Sequence, residues 1–300
     1  MSDKLNEYHI LTQVGEGAYG KVYKVEDSQG RIFAMKVMPY NKNNPRLLSC
    51  IKREIKMLQK LKHNQIVKMH KFFQDDNKVY LILNYVEYDL KKYLAVNMNS
   101  CTMKFVKKTA RQILKGLKCI HDNNILHRDI KSSNILIDSN QDIKITDFGL
   151  SRLFDLQDKF FYTQEVVSLG YRAPEILLTQ NKYSTAIDMW SFGVLLIELV
   201  TGKCPFQADN ELNQLIEIVK LIGTPPFSLL QSYSNVVEGF SLPVYNNKLM
   251  EYILFECKVV MEDESSDLWF LTDLISKCLD FNPKKRIDAE TALKHSFLLD

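Results

Sequence analysis

One stretch in the middle of the chain constrains the fold more than any other. It begins with His127-Arg128-Asp129 and ends with Asp147-Phe148-Gly149. Between these motifs, the apolar run Ile135–Ile137 and the alternating run Ile143–Ile145 predict the two strands of a small hairpin. The polar motifs then lie on the loops that bracket the hairpin, and loops held by a rigid scaffold commonly carry catalytic and binding residues.

Four polar side chains in this stretch have the types that phosphate and metal chemistry needs. Asp129 and Asp147 supply carboxylates, Lys131 supplies an ammonium group and Asn134 supplies an amide. A His-Arg-Asp triplet on its own is more often a surface turn with an ion pair. The four side chains together favour a functional site over that simpler interpretation.

Composition and charge argue against several classes of protein. The 300 residues are 46% hydrophobic and 25% charged, which is typical of a globular protein with one or two cores. A net charge of +3 without long runs of like charge argues against a nucleic-acid binder and against a basic membrane anchor. The most apolar segment, residues 192–200, is too short to span a bilayer. The six scattered cysteines and the polar first residues predict an intracellular protein, in cytoplasm or nucleus, with reduced thiols.

Residues 14–22 predict two strands joined by a glycine-rich turn. Gly15, Gly17 and Gly20 let the backbone turn tightly and approach an anion with its amide hydrogens. Such turns are common between strands, so the motif alone is weak. A strand rather than a helix follows it, which argues against a dinucleotide-binding turn and favours a flap over phosphates.

A lysine and a glutamate in the first third of the chain predict a buried ion pair. Lys36 interrupts a predicted apolar strand at residues 33–37, where a lysine by itself is more often on the solvent face. A predicted helix from Leu47 onward places Glu54 beside its apolar face. A buried lysine needs a partner to offset the cost of its charge, so we expect Lys36 and Glu54 to pair.

The pattern changes from mainly strands to mainly helices near residues 84–86. This change predicts two lobes within one domain of residues 1–300: an N-lobe of about residues 1–83, a hinge of about 84–88 and a C-lobe of about 89–300. Asp188 lies at the start of a helix that is apolar nearly all round, which favours a structural anchor over a catalyst. The C-lobe helices are predicted at residues 105–121, 186–200, 211–221, 267–279 and 288–295.

Residues 8–298 resemble a eukaryotic protein kinase. The flap, Lys36, Glu54, the two central motifs and Ala173-Pro174-Glu175 follow one another in the order typical of that family. Arg286 stands where the family pairs an arginine with the glutamate of Ala-Pro-Glu, here Glu175. The resemblance implies an α+β fold with a small β-rich N-lobe, one main helix in it, and a larger helical C-lobe.

The resemblance also implies the cofactors, ATP and Mg²⁺, and a role for each motif residue. Asp129 would accept the proton of the substrate hydroxyl, Lys131 would neutralise the transferring phosphoryl group, and Asp147 and Asn134 would bind Mg²⁺. Lys36, held by Glu54, would bind the phosphates. The implied ATP-binding set is Val14, Gly15, Glu16, Gly17, Ala18, Tyr19, Gly20, Lys21, Val22, Ala34, Lys36, Leu83, Val86, Asp89 and Leu136.

Within the family, the chain is most similar to the cyclin-dependent kinase and MAP kinase branch of the serine/threonine kinases. Residues 171–175 match the end of the activation segment in this branch, and residues 165–169 are closest to cyclin-dependent kinases. An insert typical of the branch covers about residues 223–264. Val167 and Arg172 match the positions of a pocket for proline after the phosphorylated Ser or Thr. A pseudokinase scaffold is the alternative function, and intact catalytic positions argue against it.

The resemblance implies regulation by phosphorylation and by partners. Thr163 has the position that an upstream activating kinase phosphorylates, and the phosphate would be bound by Arg53, Arg128 and Arg152. Tyr19 matches an inhibitory phosphorylation site, whereas its usual threonine neighbour is Ala18.

Two positions depart from the branch. In the helix motif that binds cyclins, Lys52 replaces the isoleucine that inserts into the partner, which weakens the case for a cyclin-like activator. Gly170 replaces a tryptophan in the activation segment.

Overall fold

The computed structural model describes residues 5, 7–17, 20–41, 43–75, 77–153, 168–178, 183–233, 241–260 and 266–299. Four residues discussed above, Ala18, Tyr19, Thr163 and Val167, lie outside these ranges.

The first part of the chain is a five-stranded antiparallel sheet with one helix. Its elements are β1 (Tyr8–Gly17), β2 (Gly20–Asp27), β3 (Ile32–Pro39), α1 (Pro45–Lys60), β4 (Met69–Gln74) and β5 (Lys78–Asn84). The spatial order β1-β2-β3-β5-β4 places β1 and β4 at the edges. We call this part the N-lobe.

Helix α1 begins where its sequence supplies a cap. The Asn44 side chain accepts a hydrogen bond from the backbone N–H of Leu47 at 3.1 Å, and Pro45 occupies the first turn, where its missing N–H costs nothing. Ile51, Glu54 and Leu58 are buried on one face of the helix. The helix therefore turns Glu54 inward, as its apolar period predicts.

The remaining chain is mostly helical, and we call it the C-lobe. Its helices are α2 (Leu90–Asn97), α3 (Met103–Asp122), α4 (Pro174–Leu177), α5 (Ala186–Thr201), α6 (Glu211–Ile222), α7 (Phe227–Gln231), α8 (Leu249–Glu256), α9 (Ser266–Cys278) and α10 (Ala289–Leu293). Its short strands are β6 (Tyr88–Asp89), β7 (Ile125–Leu126), β8 (Ile135–Ile137), β9 (Ile143–Ile145) and β10 (Arg152–Leu153). Helix α5 is buried from Ile187 to its end, which makes it the centre of the lobe.

Backbone hydrogen bonds join the two lobes behind the cleft. The N–H of Val67 donates to the carbonyl of Ile145 at 3.0 Å, and the N–H of Ile145 donates to the carbonyl of Gln65 at 2.8 Å. Gly116 of α3 permits this approach, because a Cβ there would lie 2.7 Å from the Ile145 side chain. The loop after α1 is thus fixed to the strand that leads to Asp147.

The sheet-rich N-lobe and helical C-lobe confirm the predicted α+β fold. β5 ends at Asn84, inside the predicted hinge, whereas the exact lobe boundaries remain predictions. The six cysteines are free thiols. Across the described ranges, no helix combines the length and the apolar character needed to cross a membrane.

Candidate active site

A buried aspartate fixes the backbone of the central motif. Asp188, in the first turn of α5, accepts hydrogen bonds from the backbone N–H groups of His127 at 2.9 Å and Arg128 at 2.8 Å, and its carboxylate lies 3.0 Å from His121 Nε2. Arg128 has φ 68°, in the left-handed region that L-residues rarely adopt. The anchoring contact expected of Asp188 is present, and it holds a backbone turn that would otherwise be strained.

The pKa of Asp188 reflects these contacts. Burial acts to raise the pKa of the carboxyl, but the hydrogen bonds and charges from His121, His127 and Arg128 outweigh burial and leave the pKa below its ordinary value. The carboxylate is therefore ionised in the folded protein, as an acceptor of several N–H groups should be.

Asp129, Lys131 and Asn134 form one hydrogen-bonded group. The Asn134 amide nitrogen donates to both the backbone carbonyl and Oδ2 of Asp129, at 2.8 Å each. Lys131 Nζ lies 2.8 Å from Asp129 Oδ2. These contacts fix the rotamer of Asp129, as its expected role of orienting a substrate hydroxyl would require.

Ser168 joins this group and was not singled out by the sequence analysis. Its hydroxyl accepts a hydrogen bond from Lys131 Nζ at 2.8 Å, and its backbone N–H and hydroxyl both lie 3.4 Å from Asp129 Oδ1. No periodicity marks Ser168, because it reaches the site only through the return of the chain after β10. A polar residue just before the Ala-Pro-Glu segment is the one sequence signal that points to it.

A lysine of the N-lobe meets two carboxylates, one from each lobe. Lys36 Nζ on β3 lies 2.7 and 2.9 Å from the two carboxylate oxygens of Glu54 and 3.1 Å from Asp147 Oδ1. The expected contact between Lys36 and Glu54 is therefore present. Burial opposes the charge of Lys36, but the two carboxylates outweigh it and raise the pKa of Lys36. Lys36 in turn is the main reason that the pKa of Asp147 is lowered.

These residues open into a cleft of about 510 Å³ between the lobes. Of the residues assigned to ATP binding, those that line it are Val14, Gly15, Glu16, Gly20, Val22, Ala34, Lys36, Leu83, Val86, Asp89 and Leu136. Asp129, Lys131, Asn134 and Asp147 line its other side. Gly17 pairs with Gly20 and Lys21 with Glu16 in the hairpin above it.

Further lining residues are absent from the expected ATP-binding set, although several of them belong to the predicted hinge. They are Val67, Asn84, Tyr85, Glu87, Tyr88, Lys92, Ser133 and Thr146. Most lie in the hinge or beside a motif, where no periodic pattern distinguishes a cleft residue from an ordinary loop residue. Val67 reaches the cleft because its loop is bonded to β9.

The donor set suits Mg²⁺ held jointly with a nucleotide. The Asn134 nitrogen is engaged by Asp129, which leaves its amide oxygen as a ligand, and Asp147 offers a carboxylate. The described residues contain no group of three or more His, Cys, Asp or Glu that could hold a metal by itself. This agrees with the preference of Mg²⁺ for one or two protein oxygens together with phosphates and water.

Three arginines gather beside the Asp147 loop. Arg53 donates to the carbonyl of Gly149 at 2.8 Å, and Arg128 donates to the carbonyl of Leu150 at 2.7 Å. Burial first, and then the charge of Arg152, lower the pKa of both Arg53 and Arg128. The Arg152 Nε is buried and has no partner among the described residues. The three guanidinium groups therefore form a cluster of like charge.

Two contacts stabilise the segment of residues 168–178. The two terminal guanidinium nitrogens of Arg286 donate to Glu175, at 2.7 and 2.9 Å, so the expected pair is present and buried. Arg172 forms an ion pair with Glu211 of α6. Gly170 stands where the branch has a tryptophan, and its surroundings are tightly packed. A Cβ added there would lie 2.7 Å from the carbonyl oxygen of Phe206 and 2.9 Å from Cys204 Sγ.

Comparison with known proteins agrees with this geometry. The protein kinase domain model matches residues 8–298. The chain is also 37% identical over 301 residues to "Cell division control protein 2 homolog 3" of Trypanosoma brucei brucei, covering all of this chain and 94% of that protein. The chain therefore belongs to the protein kinase family, in the cyclin-dependent branch of the serine/threonine kinases, whose members use ATP and Mg²⁺.

Proposed function

We propose that this protein is an active kinase that transfers the γ-phosphoryl group of ATP to Ser or Thr hydroxyls of proteins. The observation that carries the proposal is that Lys36, Asp129, Lys131, Asn134 and Asp147 converge on one cleft between the lobes. Phosphoryl transfer needs positioning and charge stabilisation more than covalent chemistry, and these five side chains supply both.

Each side chain has a definite part in the reaction. Asp129, fixed by Asn134, orients the substrate hydroxyl and accepts its proton. Lys131 donates to the transferring phosphoryl oxygens, and Lys36 holds the phosphates nearer the adenosine. Asp147 and Asn134 would hold Mg²⁺, which would neutralise charge on the phosphates when bound.

A transfer assay with radiolabelled ATP separates this function from that of a pseudokinase scaffold. The wild-type protein should label a protein substrate, and Asp129→Asn should reduce the rate by about 10²- to 10⁴-fold, the usual contribution of a general base. The matched control is Asp142→Asn, a change of the same kind at an exposed position, which should retain the wild-type rate. Equal labelling by wild type and Asp129→Asn would support the scaffold instead.

Phosphorylation of Thr163 by an upstream kinase is proposed to activate the enzyme. The cluster of Arg53, Arg128 and Arg152 supports this, since a phosphate facing several guanidinium groups gains charge-assisted hydrogen bonds. Treatment with an activating kinase should raise the activity of the wild type but not of Thr163→Ala. Full activity of Thr163→Ala after the same treatment would exclude the switch.

We propose that substrates carry proline directly after the phosphorylated residue. Support comes from the match of Val167 and Arg172 to the proline-pocket positions and from the ion pair that fixes Arg172 on Glu211. On a peptide array, replacement of this proline by alanine should abolish most of the signal. An array without this loss would contradict proline preference.

We propose that a cyclin-like activator binds α1 and activates the kinase. We also propose that the protein acts inside the cell, in cytoplasm or nucleus. Lys52 is exposed on α1 at the position where the branch inserts isoleucine, so the partner must accept a charge there. Lys52→Ile should strengthen binding to a conventional cyclin, measured by pull-down.

Inhibition by phosphorylation of Tyr19 is proposed to act without a second phosphorylation site, since the neighbour of Tyr19 is Ala18.

A further inference from the structure

A second concave surface lies behind the hinge, away from the reacting groups. We call it the rear groove; it has a volume of about 910 Å³ and is formed by the end of α1, the loop that follows, β4, Asn84 and Lys144. Asn84 also lines the nucleotide cleft, so the groove and the cleft share the hinge as a wall. The proposed kinase activity does not use this groove.

The rear groove is strongly basic. Its titratable lining residues are Lys62, His63, Lys68, His70, Lys71 and Lys144, and none of the described residues that line it carries a carboxylate. The chain as a whole carries a net charge of only +3, so this concentration of positive charge is local.

Of the four lysines that line the groove, two already contact other groups and two are available for a ligand. Lys71 forms an ion pair with Glu7, and Lys144 donates to the carbonyl of Asn64 at 2.7 Å. Lys62 and Lys68 are exposed and have no ion-pair partner within the described part of the chain.

The histidines report the same positive field. The pKa of His63 is lowered first by burial and then by Lys115 and Lys144, and the pKa of His70 is lowered by burial, Lys68 and Arg31. An anion placed in the groove would relieve this repulsion between like charges.

The backbone of the groove offers a way to bind an extended chain. β4 is an edge strand, so within the described residues it has a sheet neighbour only on the β5 side. Lys71 lies in this strand and Lys68 directly precedes it. Lysine on an edge strand repels a second copy of the same strand, yet it attracts an acidic strand. Charge thus selects against self-association and in favour of a partner of opposite sign.

An apolar side chain completes the surface. Phe72 of β4 is 45% exposed and lies in the groove with Met69 and the buried Ile66. A large exposed aromatic ring beside charged groups is a typical anchor point of an interface. The groove therefore fits a segment that combines acidic residues with a bulky apolar one.

We propose that the rear groove binds an extended acidic segment of a partner protein, one that places carboxylates against Lys62 and Lys68 and an apolar side chain against Phe72. Because the loop of the groove is hydrogen-bonded to β9, such a partner would contact both lobes at their junction. The groove is thus a docking surface distinct from the catalytic cleft and from the outer face of α1.

Fluorescence anisotropy with the full chain tests this proposal. The probe is a labelled peptide in which Glu alternates with Leu, and the comparison peptide alternates Ser with Leu. The Glu-Leu peptide should bind, and the double variant Lys62→Glu, Lys68→Glu should weaken binding by at least about tenfold. Phe72→Ala should weaken the Glu-Leu peptide more than a peptide of Glu alone.

A matched variant distinguishes the effect of charge in the rear groove from the effect of the net charge of the protein. Lys284→Glu with Lys285→Glu makes the same change of charge at two exposed lysines of the C-lobe and should leave binding unchanged. Thermal unfolding followed by circular dichroism checks that each variant is folded. Absence of peptide binding, or equal weakening by both double variants, would overturn the proposal. Tighter binding of a single-stranded RNA of equal charge, lost in the Lys62 and Lys68 variant, would overturn the assignment of a protein partner.

Discussion

At the scale of single residues, Asp188 gives a prediction about pH. Its carboxylate accepts hydrogen bonds from the backbone of His127 and Arg128, and its pKa lies below the ordinary value. A carboxyl whose pKa is depressed by folding adds stability above its unfolded pKa, and this stability is lost as the pH falls through the folded pKa. Asp188→Asn should therefore lower the free energy of unfolding at neutral pH by about 2 kcal/mol, the usual worth of a hydrogen bond to a charged group.

The difference between wild type and Asp188→Asn should shrink as the pH falls below about 3.9, because the carboxyl then becomes protonated in the unfolded state while it is still ionised in the folded state. Urea unfolding at several pH values measures it. The control is again the exposed Asp142→Asn, which should change stability by no more than about 0.5 kcal/mol. A deficit that stays constant into acid would show that the charge of Asp188 does not stabilise the turn.

Gly170 gives a second prediction at this scale, and it concerns steric fit. A Cβ at this position would lie within 2.9 Å of both the Phe206 carbonyl oxygen and Cys204 Sγ. Gly170→Ala should therefore destabilise the protein by about 1–3 kcal/mol through overpacking. Adding Cys204→Ala should recover only part of the loss, since the backbone carbonyl of Phe206 remains. Full recovery would mean that the contact with Cys204 Sγ alone causes the loss of stability.

At the scale of secondary-structure elements, the buried pair of Glu175 and Arg286 joins α4 to the loop before α10. Arg286→Ala leaves the Glu175 carboxylate buried without a partner, which should cost about 3–5 kcal/mol of unfolding free energy. Arg286→Lys keeps the charge but not the paired geometry, so its effect should be smaller. Chemical denaturation measures both, with the exposed neighbour Lys285→Ala as control. A loss in Arg286→Ala no larger than in Lys285→Ala would contradict the role of the pair.

The elements differ in how far the sequence foretells them. α1, α3 and α5 follow from a clear apolar period or a continuous apolar run, and the helix predicted at residues 288–295 corresponds to α10, which Asp288 caps. In α7 and α8, by contrast, the helix is short and several apolar residues, such as Leu254 and Phe255, are exposed. No amphipathic pattern develops in such helices, and only packing in the C-lobe determines their position.

At the scale of the whole molecule, the site combines what local sequence specifies with what only the fold can bring together. Asp129, Asn134 and Asp147 belong to short motifs, so their types and spacing predict one site. Ser168 and Val67 enter it from distant segments, through the return of the activation segment and through the loop bonded to β9. A sequence pattern cannot specify such residues, since their position depends on tertiary contacts that form across the chain.

The last prediction follows from the origin of the cleft walls. Ala34 and Lys36 belong to the N-lobe, whereas Leu136 and Asp147 belong to the C-lobe, so a bound nucleotide ties the two lobes together. A ligand at about 100 times its dissociation constant should add about 2.7 kcal/mol to the free energy of unfolding. ATP with Mg²⁺ should therefore raise the midpoint of thermal unfolding, and ATP without Mg²⁺ should raise it less.

Variants at the two walls make this prediction specific. Asp147→Asn should remove most of the Mg²⁺-dependent part of the shift, because it removes a carboxylate ligand, while leaving part of the shift caused by ATP alone. Lys36→Met should reduce both the Mg²⁺-dependent part and the part caused by ATP alone, because the variant lacks the ammonium group that contacts the phosphates. Differential scanning fluorimetry measures the shifts, and Asp142→Asn serves as the control that should respond like the wild type. If Asp147→Asn kept the full Mg²⁺-dependent shift, the metal would have to be held elsewhere, and the converging side chains of the cleft would not form the site of phosphoryl transfer.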